Sequence, residues 1–306
     1  MAIPNTLGIH ALVWAGGWSK EECRTAIRES KEAGYGLIEI PALDPSAIDV
    51  PDTRAVLKDY DLKAAFSLGL SFDADINHED EAIVRRGEER LLNALSVVEA
   101  IGGDYFGGVL YSALGKYPQP ATEKARAHAV AALSRLAVRA RDAGITLGLE
   151  PVNRYESNLV NTAAQAMAII DEIPSDNVRV HLDVFHMNIE EEGMVQPVMD
   201  CASKLGYVHI GESHRGRPGT GTIDFDGFFS ALARVQYRGV ITFESFSSAI
   251  LHSSLSNTLA IWRNTWTDNR RLAREAHAFM AGHIERAWAE SSGILPKSEL
   301  QSRSVS

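Results

Sequence analysis

Four side chains of the kind that bind metal ions recur along the second half of the chain. Glu150, Asp183, His209 and Glu244 each lie at or near the end of a short apolar run, within the segments LGLE, VHLD, YVHI and ITFE. They are separated by 33, 26 and 35 residues, and each interval is about the length of one strand followed by one helix. Three carboxylates that converge beside one imidazole would repel one another unless a divalent cation lay between them. The pattern therefore predicts a metal site.

The donor types narrow the choice of metal. Ligands that are rich in oxygen, with one histidine and no cysteine, favour Mn²⁺, Mg²⁺ or Co²⁺ over a structural zinc ion. We expect one ion, with Mn²⁺ favoured, and open positions on it for substrate oxygens. A single acid at a strand end is often only a helix cap, and a single histidine in a strand is usually a core residue. Repetition over four segments is what favours a metal site over these simpler interpretations.

Short apolar runs alternate with segments of helical periodicity throughout the chain. We expect strands at 7–14, 36–42, 62–70, 102–110, 145–150, 178–183, 207–212 and 239–245. Helices are expected at 19–34, 52–60, 80–101, 122–143, 162–173, near 195–204, at 224–235 and over about 257–289. Eight strand–helix units predict a (β/α)8 TIM barrel of the α/β class, in which the carboxyl ends of the strands meet at the active site. An open doubly wound sheet is disfavoured because no G-x-G-x-x-G motif follows the first strand.

Length and composition indicate the domain organisation and the partners. We expect a single barrel domain over residues 1–290 and a polar C-terminal tail over 291–306. The formal net charge of −10 argues against nucleic acid or an anionic membrane as a partner. No run approaches twenty apolar residues and the first residues have no basic start, so we expect neither a membrane span nor a signal peptide. The two cysteines, Cys23 and Cys201, lie far apart, and we expect a cytoplasmic location.

More polar side chains follow the same strands. Glu156, His186 and Arg215 are expected in the loops after the fifth, sixth and seventh strands, although each alone is more often a solvated loop residue. His181 precedes Asp183 by two residues and is expected one layer deeper in the barrel. Aromatic residues near the strand ends, beside a few convergent polar groups, suit a small polyol or sugar. The full set of candidate substrate contacts is Glu156, His186, Arg215, His10, Trp14 and Ser67.

Longer stretches carry a resemblance to a known family. Together with the four metal-type residues, the segments NRYESNLVNTAAQA, LDVFHMNIEE, HIGESHRGRPGTGTIDF, FESFSS and IWRNTWTDN resemble the ketose 3-epimerases. This group contains the D-tagatose, D-allulose and L-ribulose 3-epimerases, within the xylose isomerase-like barrels. The resemblance runs from about residue 7 to residue 286 and is strongest to the L-ribulose 3-epimerase branch. It departs at AAFSLGL and LYSALGKY, where many relatives carry a cysteine and a tryptophan, so the preferred ketose stays open.

The resemblance implies a role for each site residue. The four metal-type residues would bind one Mn²⁺-like ion, and Glu150 and Glu244 would double as the acid–base pair. The three loop residues Glu156, His186 and Arg215 would hold the O1–O2 end of a ketose. The family also implies a homo-oligomer, with a tetramer favoured over a dimer.

The activity expected from this set is metal-dependent epimerisation of free ketoses at C3. A metal ion can stabilise the enediolate that forms when the C3 proton leaves, and one base on each face of C3 allows inversion. The expected pairs are L-ribulose with L-xylulose, D-tagatose with D-sorbose and D-fructose with D-allulose. The main alternative is an aldose–ketose isomerase of the hydroxypyruvate isomerase type on the same barrel. A DNA-repair endonuclease is disfavoured by the negative charge, and a non-catalytic sugar-binding protein by the pair of bases.

Overall fold

Eight parallel strands close into a barrel in the computed structural model, which describes residues 3–293. Each strand pairs with the next one along the chain, and the last pairs with the first. The strands are β1 (Leu7–His10), β2 (Leu37–Pro41), β3 (Lys63–Leu70), β4 (Tyr105–Ala113), β5 (Thr146–Leu149), β6 (Val178–Asp183), β7 (Leu205–Ile210) and β8 (Val240–Phe243). The predicted (β/α)8 barrel is confirmed, whereas the predicted tail lies almost entirely outside the described residues.

The helices bury their apolar faces against the barrel and against each other. They are α1 (Lys20–Glu32), α2 (Val50–Asp59), α3 (Glu81–Ile101), α4 (Glu123–Asp142), α5 (Ala163–Glu172), α6 (Val184–Glu190), α7 (Gln196–Asp200), α8 (Phe225–Arg234), α9 (Ser253–Thr258) and α10 (Asn269–Ser291). None of the helices in the described part of the chain has both the length and the apolar character needed to cross a membrane.

The start of α1 illustrates how the sequence determines these elements. Ser19 and Glu22 form a capping box, in which the Ser19 hydroxyl accepts from the Glu22 N–H and the Glu22 carboxylate accepts from the Ser19 N–H. The apolar face of α1 places Cys23, Ala26 and Ile27 in the main core. Full burial of an aliphatic side chain contributes about 1.5–3 kcal/mol, so the helix and the strands stabilise each other.

The first strand is shorter than predicted, and this changes where Trp14 lies. β1 ends at His10, and Ala11–Val13 form one turn of 3-10 helix. The His10 Nδ1 accepts a hydrogen bond from the Leu12 N–H at 3.2 Å and caps this turn. Trp14 therefore does not end a strand, and its indole N–H donates to Ser30 Oγ on α1 at 2.9 Å.

The long helix predicted over 257–289 is two helices, α9 and α10, joined by an irregular segment. Ala260 has a left-handed backbone with a φ of 54°, which a continuous helix cannot contain. The Asp268 carboxylate accepts a hydrogen bond from the Arg271 N–H and caps a new helix. Trp262, in the irregular segment, is 76% exposed.

A helix starts directly after β6, where the sequence predicts a loop. Asp183 is the last residue of β6, and its Oδ1 accepts a hydrogen bond from the Phe185 N–H at 2.8 Å, which caps α6. His186 therefore lies on α6 rather than in a loop. The helix predicted near 195–204 is the shorter α7.

Candidate active site

The carboxyl ends of β5 to β8 bring the four predicted metal-type residues together. Glu150 follows β5, Asp183 ends β6, His209 lies in β7 and Glu244 follows β8. All four are buried, with exposed fractions between 0 and 7%. The His209 Nδ1 lies 3.1 Å from Glu150 Oε1 and 3.6 Å from Glu244 Oε1. The imidazole is therefore the common neighbour of two carboxylates whose strands are not adjacent in the barrel.

These side chains form overlapping groups that could hold a divalent cation. In one group, the candidate ligand atoms of Asp183, His209 and Glu244 all lie within 4.8 Å of one another. The other groups are Glu150 with His181 and His209, and Glu150 with Asp183 and His186. The donors are carboxylate oxygens and imidazole nitrogens without a thiolate, and this donor chemistry fits Mn²⁺ or Mg²⁺.

His186 presents a proton, and not a lone pair, to the acidic cluster. Its Nδ1 accepts from the Asn153 backbone N–H at 3.0 Å and from the Asn153 side-chain amide at 2.9 Å. Burial lowers the pKa of His186 to about 3, so the ring is neutral and carries its proton on Nε2. This Nε2 lies 3.5 Å from Asp183 Oδ2. The same Nε2 lies 3.3 Å from Arg215 Nη2, which can only donate, so the ring is held between Asn153, Asp183 and Arg215.

His181 lies beneath the cluster among aromatic rings. Its ring centroid is 4.1 Å from that of His209 and 4.7 Å from that of Tyr207. Neither of its ring nitrogens has a hydrogen-bond partner among the described residues. Burial lowers the pKa of His181 well below its ordinary value, which keeps the ring neutral. This position, one layer below Asp183, is the one that strand alternation predicts.

Arg215 lies against two of the carboxylates. Its Nη1 donates to Asp183 Oδ2 at 3.1 Å and to Glu244 Oε2 at 2.6 Å. The guanidinium carbon lies 3.6 Å from the centre of the Phe185 ring. The backbone of Arg215 is left-handed, with a φ of 60°, a conformation that costs about 1–3 kcal/mol for a residue other than glycine. The Ser245 hydroxyl donates to the Arg215 carbonyl at 2.5 Å, which ties this conformation to the end of β8.

A further carboxylate reaches the cluster from β2 and is not among the predicted residues. Glu39 is 1% exposed, and its Oε2 lies 2.8 Å from His209 Nε2. The signal in the sequence is an acid in the middle of the apolar strand GLIEIPA, because a buried charge requires a partner. That partner is 170 residues away, so the contact forms only when the barrel closes.

A cavity with about 540 Å³ of empty space, its open mouth included, adjoins the cluster. Its apolar wall includes Leu12, Phe246 and two leucines contributed by α9 and the residue that ends it, Leu255 and Leu259. This mixture of apolar and polar lining groups suits a small polar organic ligand. The polar lining residues are His10, Ser67, Glu150, Glu156, His186, His209, Arg215 and Glu244.

Trp14 is the one predicted substrate contact that the structure does not bring to this cavity. The chain has already turned away from the barrel axis after β1, and the indole is held by Ser30 of α1. Trp14 lines a separate surface depression with residues of the α1 start. The structure therefore places Trp14 outside this cavity, unlike the other five predicted substrate contacts.

Most of the chain matches a known protein family. Residues 5–283 fit the family described as xylose isomerase-like TIM barrel. The chain belongs to the xylose isomerase-like TIM barrel family.

Relatives of this xylose isomerase-like barrel act on carbohydrates. The L-ribulose 3-epimerase of Methylomonas sp. (strain DH-1) is 52% identical over 282 residues, which are 92% of this chain and 99% of the relative. The ketose 3-epimerase of Arthrobacter globiformis is 48% identical over 90% of this chain and 95% of the relative. A crystal structure of D-allulose 3-epimerase from Methylomonas sp. in complex with D-allulose matches with a TM-score of 0.90 and 51% identity, over 92% of this chain and 99% of that one. The chain is accordingly an isomerase of the carbohydrate epimerase class.

Two glutamates of the xylose isomerase-like barrel have pKa values that are shifted in opposite directions. Burial raises the pKa of Glu150 above its ordinary value, and the charge of His209 offsets this only in part. Burial acts on Glu244 as well, but His209 and Arg215 together hold its pKa below the ordinary value. Without a bound metal ion, the two glutamates thus favour opposite protonation states, one protonated and one ionised, and these are the two forms that acid–base catalysis needs.

Replacement of Glu156 by glutamine is expected to stabilise the metal-free barrel at alkaline pH. Burial raises the pKa of Glu156 to about 7, against the opposing effects of Arg215 and Asn153. The folded protein thus holds this proton more tightly than the unfolded chain does, so stability is lost as the pH rises from the ordinary glutamate pKa of 4.5 to about 7. Glu156→Gln removes this loss and should gain up to about 3 kcal/mol above that range and nothing below it.

Urea denaturation of the metal-free proteins at pH 4.5 and pH 8 measures this gain. Glu192→Gln, at an exposed carboxylate, is the matched control and should show no such gain. A difference between Glu156→Gln and the wild type that is equal at both pH values would contradict the prediction.

Proposed function

We propose that this chain inverts the configuration of free ketoses at C3, with Glu150 and Glu244 as the acid–base pair. The single observation that supports this most is the pair itself. The two glutamates come from the ends of β5 and β8, both lie next to His209 Nδ1, and their pKa values are shifted in opposite directions. The substrate pairs proposed are L-ribulose with L-xylulose, D-tagatose with D-sorbose and D-fructose with D-allulose.

One divalent cation, with Mn²⁺ favoured over Mg²⁺ or Co²⁺, is part of the proposal. Glu150, Asp183, His209 and Glu244 would hold it, because their donor atoms are buried, mostly anionic and within reach of one another. When bound, such an ion acts as a Lewis acid toward the negative charge that develops on a ketose as its C3 proton leaves.

The side chains of the cluster move and hold the protons. Inversion requires one carboxylate to remove the C3 proton and another carboxyl to return a proton to the opposite face. Glu244, the ionised partner, is the base in one direction of the reaction, and Glu150 is the base in the other. Because the two groups interact, each apparent pKa seen in a titration is a property of the pair and not of one glutamate.

The remaining polar residues of the cavity orient the ketose in this proposal. His186 Nε2 and Arg215 Nη2 lie 3.3 Å apart, both residues line the cavity, and their N–H groups suit the O1–O2 end of the ketose. Glu156 lies beside them and accepts from the Asn153 amide at 2.9 Å. His10 and Ser67 contact each other at 3.4 Å and offer polar groups to another part of the ligand.

An aldose–ketose isomerase is the alternative activity, since it would use the same barrel and cluster. It moves the carbonyl between C1 and C2, and a single base on one face is sufficient for that transfer. Two carboxyls from strands that are not neighbours favour inversion instead.

Product analysis with and without a metal tests the proposed function. Enzyme stripped with a chelator and reloaded with Mn²⁺ should convert L-ribulose to L-xylulose and D-fructose to D-allulose, whereas the stripped enzyme should be inactive. Asp183→Asn, which removes a ligand but neither acid–base group, is expected to need more Mn²⁺ for the same rate. Formation of an aldose would support the alternative, and full activity of the stripped enzyme would exclude the metal.

The protein is also proposed to be a homo-oligomer in the cytoplasm, with a tetramer favoured over a dimer. The exposed Trp262 is an apolar group that a second subunit could cover. Cys23 and Cys201 are both free and buried, which fits a reducing compartment. Light scattering of the purified protein distinguishes four chains from two or one.

A further inference from the structure

Glu39 is a buried carboxylate that the acid–base pair does not use. It lies in the middle of β2 and is not among the residues that line the cavity. Its Oε1 makes no hydrogen bond among the described residues, although His10 Nε2 lies 3.6 Å away. A buried charge is expensive unless partners compensate it. Packing alone therefore does not explain why the Glu39 carboxylate is buried.

The two ring nitrogens of His209 face different surroundings. Nε2 lies 2.8 Å from Glu39 Oε2, while Nδ1 faces Glu150 and Glu244. An ionised carboxylate can only accept a hydrogen bond, so Glu39 requires the proton on Nε2. A histidine binds a metal ion as a neutral ring, and in that state the lone pair of His209 is on Nδ1, on the side of the two glutamates.

His10 closes the other side of this arrangement. Its Nδ1 accepts from the Leu12 N–H at 3.2 Å, so its proton is on Nε2. That Nε2 lies 3.6 Å from Glu39 Oε1 and 4.0 Å from Glu244 Oε1. The Glu39 carboxylate thus lies between the N–H groups of His209 and His10, and these two contacts hold it beside His209.

We propose that Glu39 is a positioning residue that fixes His209 in the tautomer and orientation in which Nδ1 can bind the cation. The inference rests on the proposed metal centre and adds to it a residue that contacts neither substrate nor metal. A carboxylate behind a histidine ligand also increases the electron density that the ring offers, and its loss typically lowers metal affinity 10–100-fold.

Manganese binding, measured independently of turnover, tests this role. The full-length protein is stripped of metal and titrated with Mn²⁺, and free Mn²⁺ is followed by electron paramagnetic resonance. Glu39→Gln should bind Mn²⁺ about 10–100-fold more weakly than the wild type. Tyr105→Phe is the matched control, since it removes a buried hydroxyl without a partner from the same barrel interior. Its Mn²⁺ affinity should equal that of the wild type.

The outcomes separate the inference from the proposed function. Equal Mn²⁺ affinity of Glu39→Gln and the wild type overturns the role of Glu39, even if the melting temperature falls, because a purely structural role changes stability alone. Failure of the wild type to bind Mn²⁺ overturns the metal centre instead.

A measurement on the wild type covers the case in which Glu39→Gln does not fold. Nitrogen NMR of histidine in the Mg²⁺-loaded protein, with the His209 signals identified by their loss in His209→Asn, reports the tautomer directly. A proton on Nε2 supports the inference, and a proton on Nδ1 overturns it.

Discussion

Glu244→Gln is expected to lower kcat for C3 inversion by about 10²–10⁴-fold while the barrel stays folded. Glu244 is the glutamate whose pKa lies below its ordinary value, so it is ionised and ready to accept a proton. Glutamine keeps the shape of the side chain and an oxygen for the Arg215 contact, now 2.6 Å long, but it cannot take the C3 proton. The measurement is the initial rate of D-allulose formation from D-fructose at saturating Mn²⁺, beside a thermal melt.

Glu150→Gln supplies the second half of this experiment. Its kcat should fall to a similar degree, because inversion needs a proton donor on one face of C3 and an acceptor on the other. In D₂O the wild-type product should carry deuterium at C3, since the returning proton comes from a carboxyl that has exchanged with solvent. Glu192→Gln, at the surface, should behave as the wild type. A kcat within about threefold of the wild type in either buried variant, at full Mn²⁺ occupancy, would sink the assignment.

Arg215→Met is expected to destabilise the metal-free protein by about 3–5 kcal/mol. Methionine retains much of the apolar stem but removes the charge that compensates Asp183 and Glu244, which lie 3.1 and 2.6 Å from Nη1. Asp183 then loses its guanidinium partner, and Glu244 keeps the more distant His209 Nδ1, 3.6 Å away. The stacking on Phe185, at 3.6 Å, is lost as well. Urea denaturation of the metal-free variant and the wild type gives the difference in the free energy of unfolding.

Arg217→Met is the matched control for this effect. Arg217 lies in the same loop but is exposed, and its ion pair with Glu275 spans 3.2 Å at the surface. Exposed pairs contribute about 0–1 kcal/mol. Mn²⁺ should restore part of the stability of Arg215→Met, because the cation compensates the same carboxylates. Equal losses in the two variants, or a loss that Mn²⁺ leaves unchanged, would contradict the role given to Arg215.

The fold could be predicted from the sequence because one rule, the alternation of strands with helices, holds along the chain. Eight apolar runs alternate with helical segments, which is typical of a closed parallel barrel, and the glycine motif of the open doubly wound sheet is absent. The same rule located Glu150, Asp183, His209 and Glu244 at one level, since each lies at or next to the carboxyl end of its strand. Neither inference required knowledge of contacts between distant residues.

Features that depend on individual hydrogen bonds could not be predicted in this way. The apolar pattern continues past His10, so only the cap made by the His10 imidazole shows that β1 ends there and that Trp14 leaves the barrel. The Asp268 cap that divides the last helix is of the same kind. Glu39 was missed for a different reason, because its partner His209 is brought to it by barrel closure alone.

The cavity wall formed by Leu255 and Leu259 has a consequence for how such enzymes can diverge. These side chains come from α9 and its end, a short stretch that follows β8, whereas the acidic cluster is spread over the ends of β5 to β8. Genetic changes confined to one continuous stretch can reshape this wall without moving a carboxylate. A descendant lineage, or a directed-evolution library limited to this stretch, can therefore change which sugar is accepted. The acid–base residues stay unchanged.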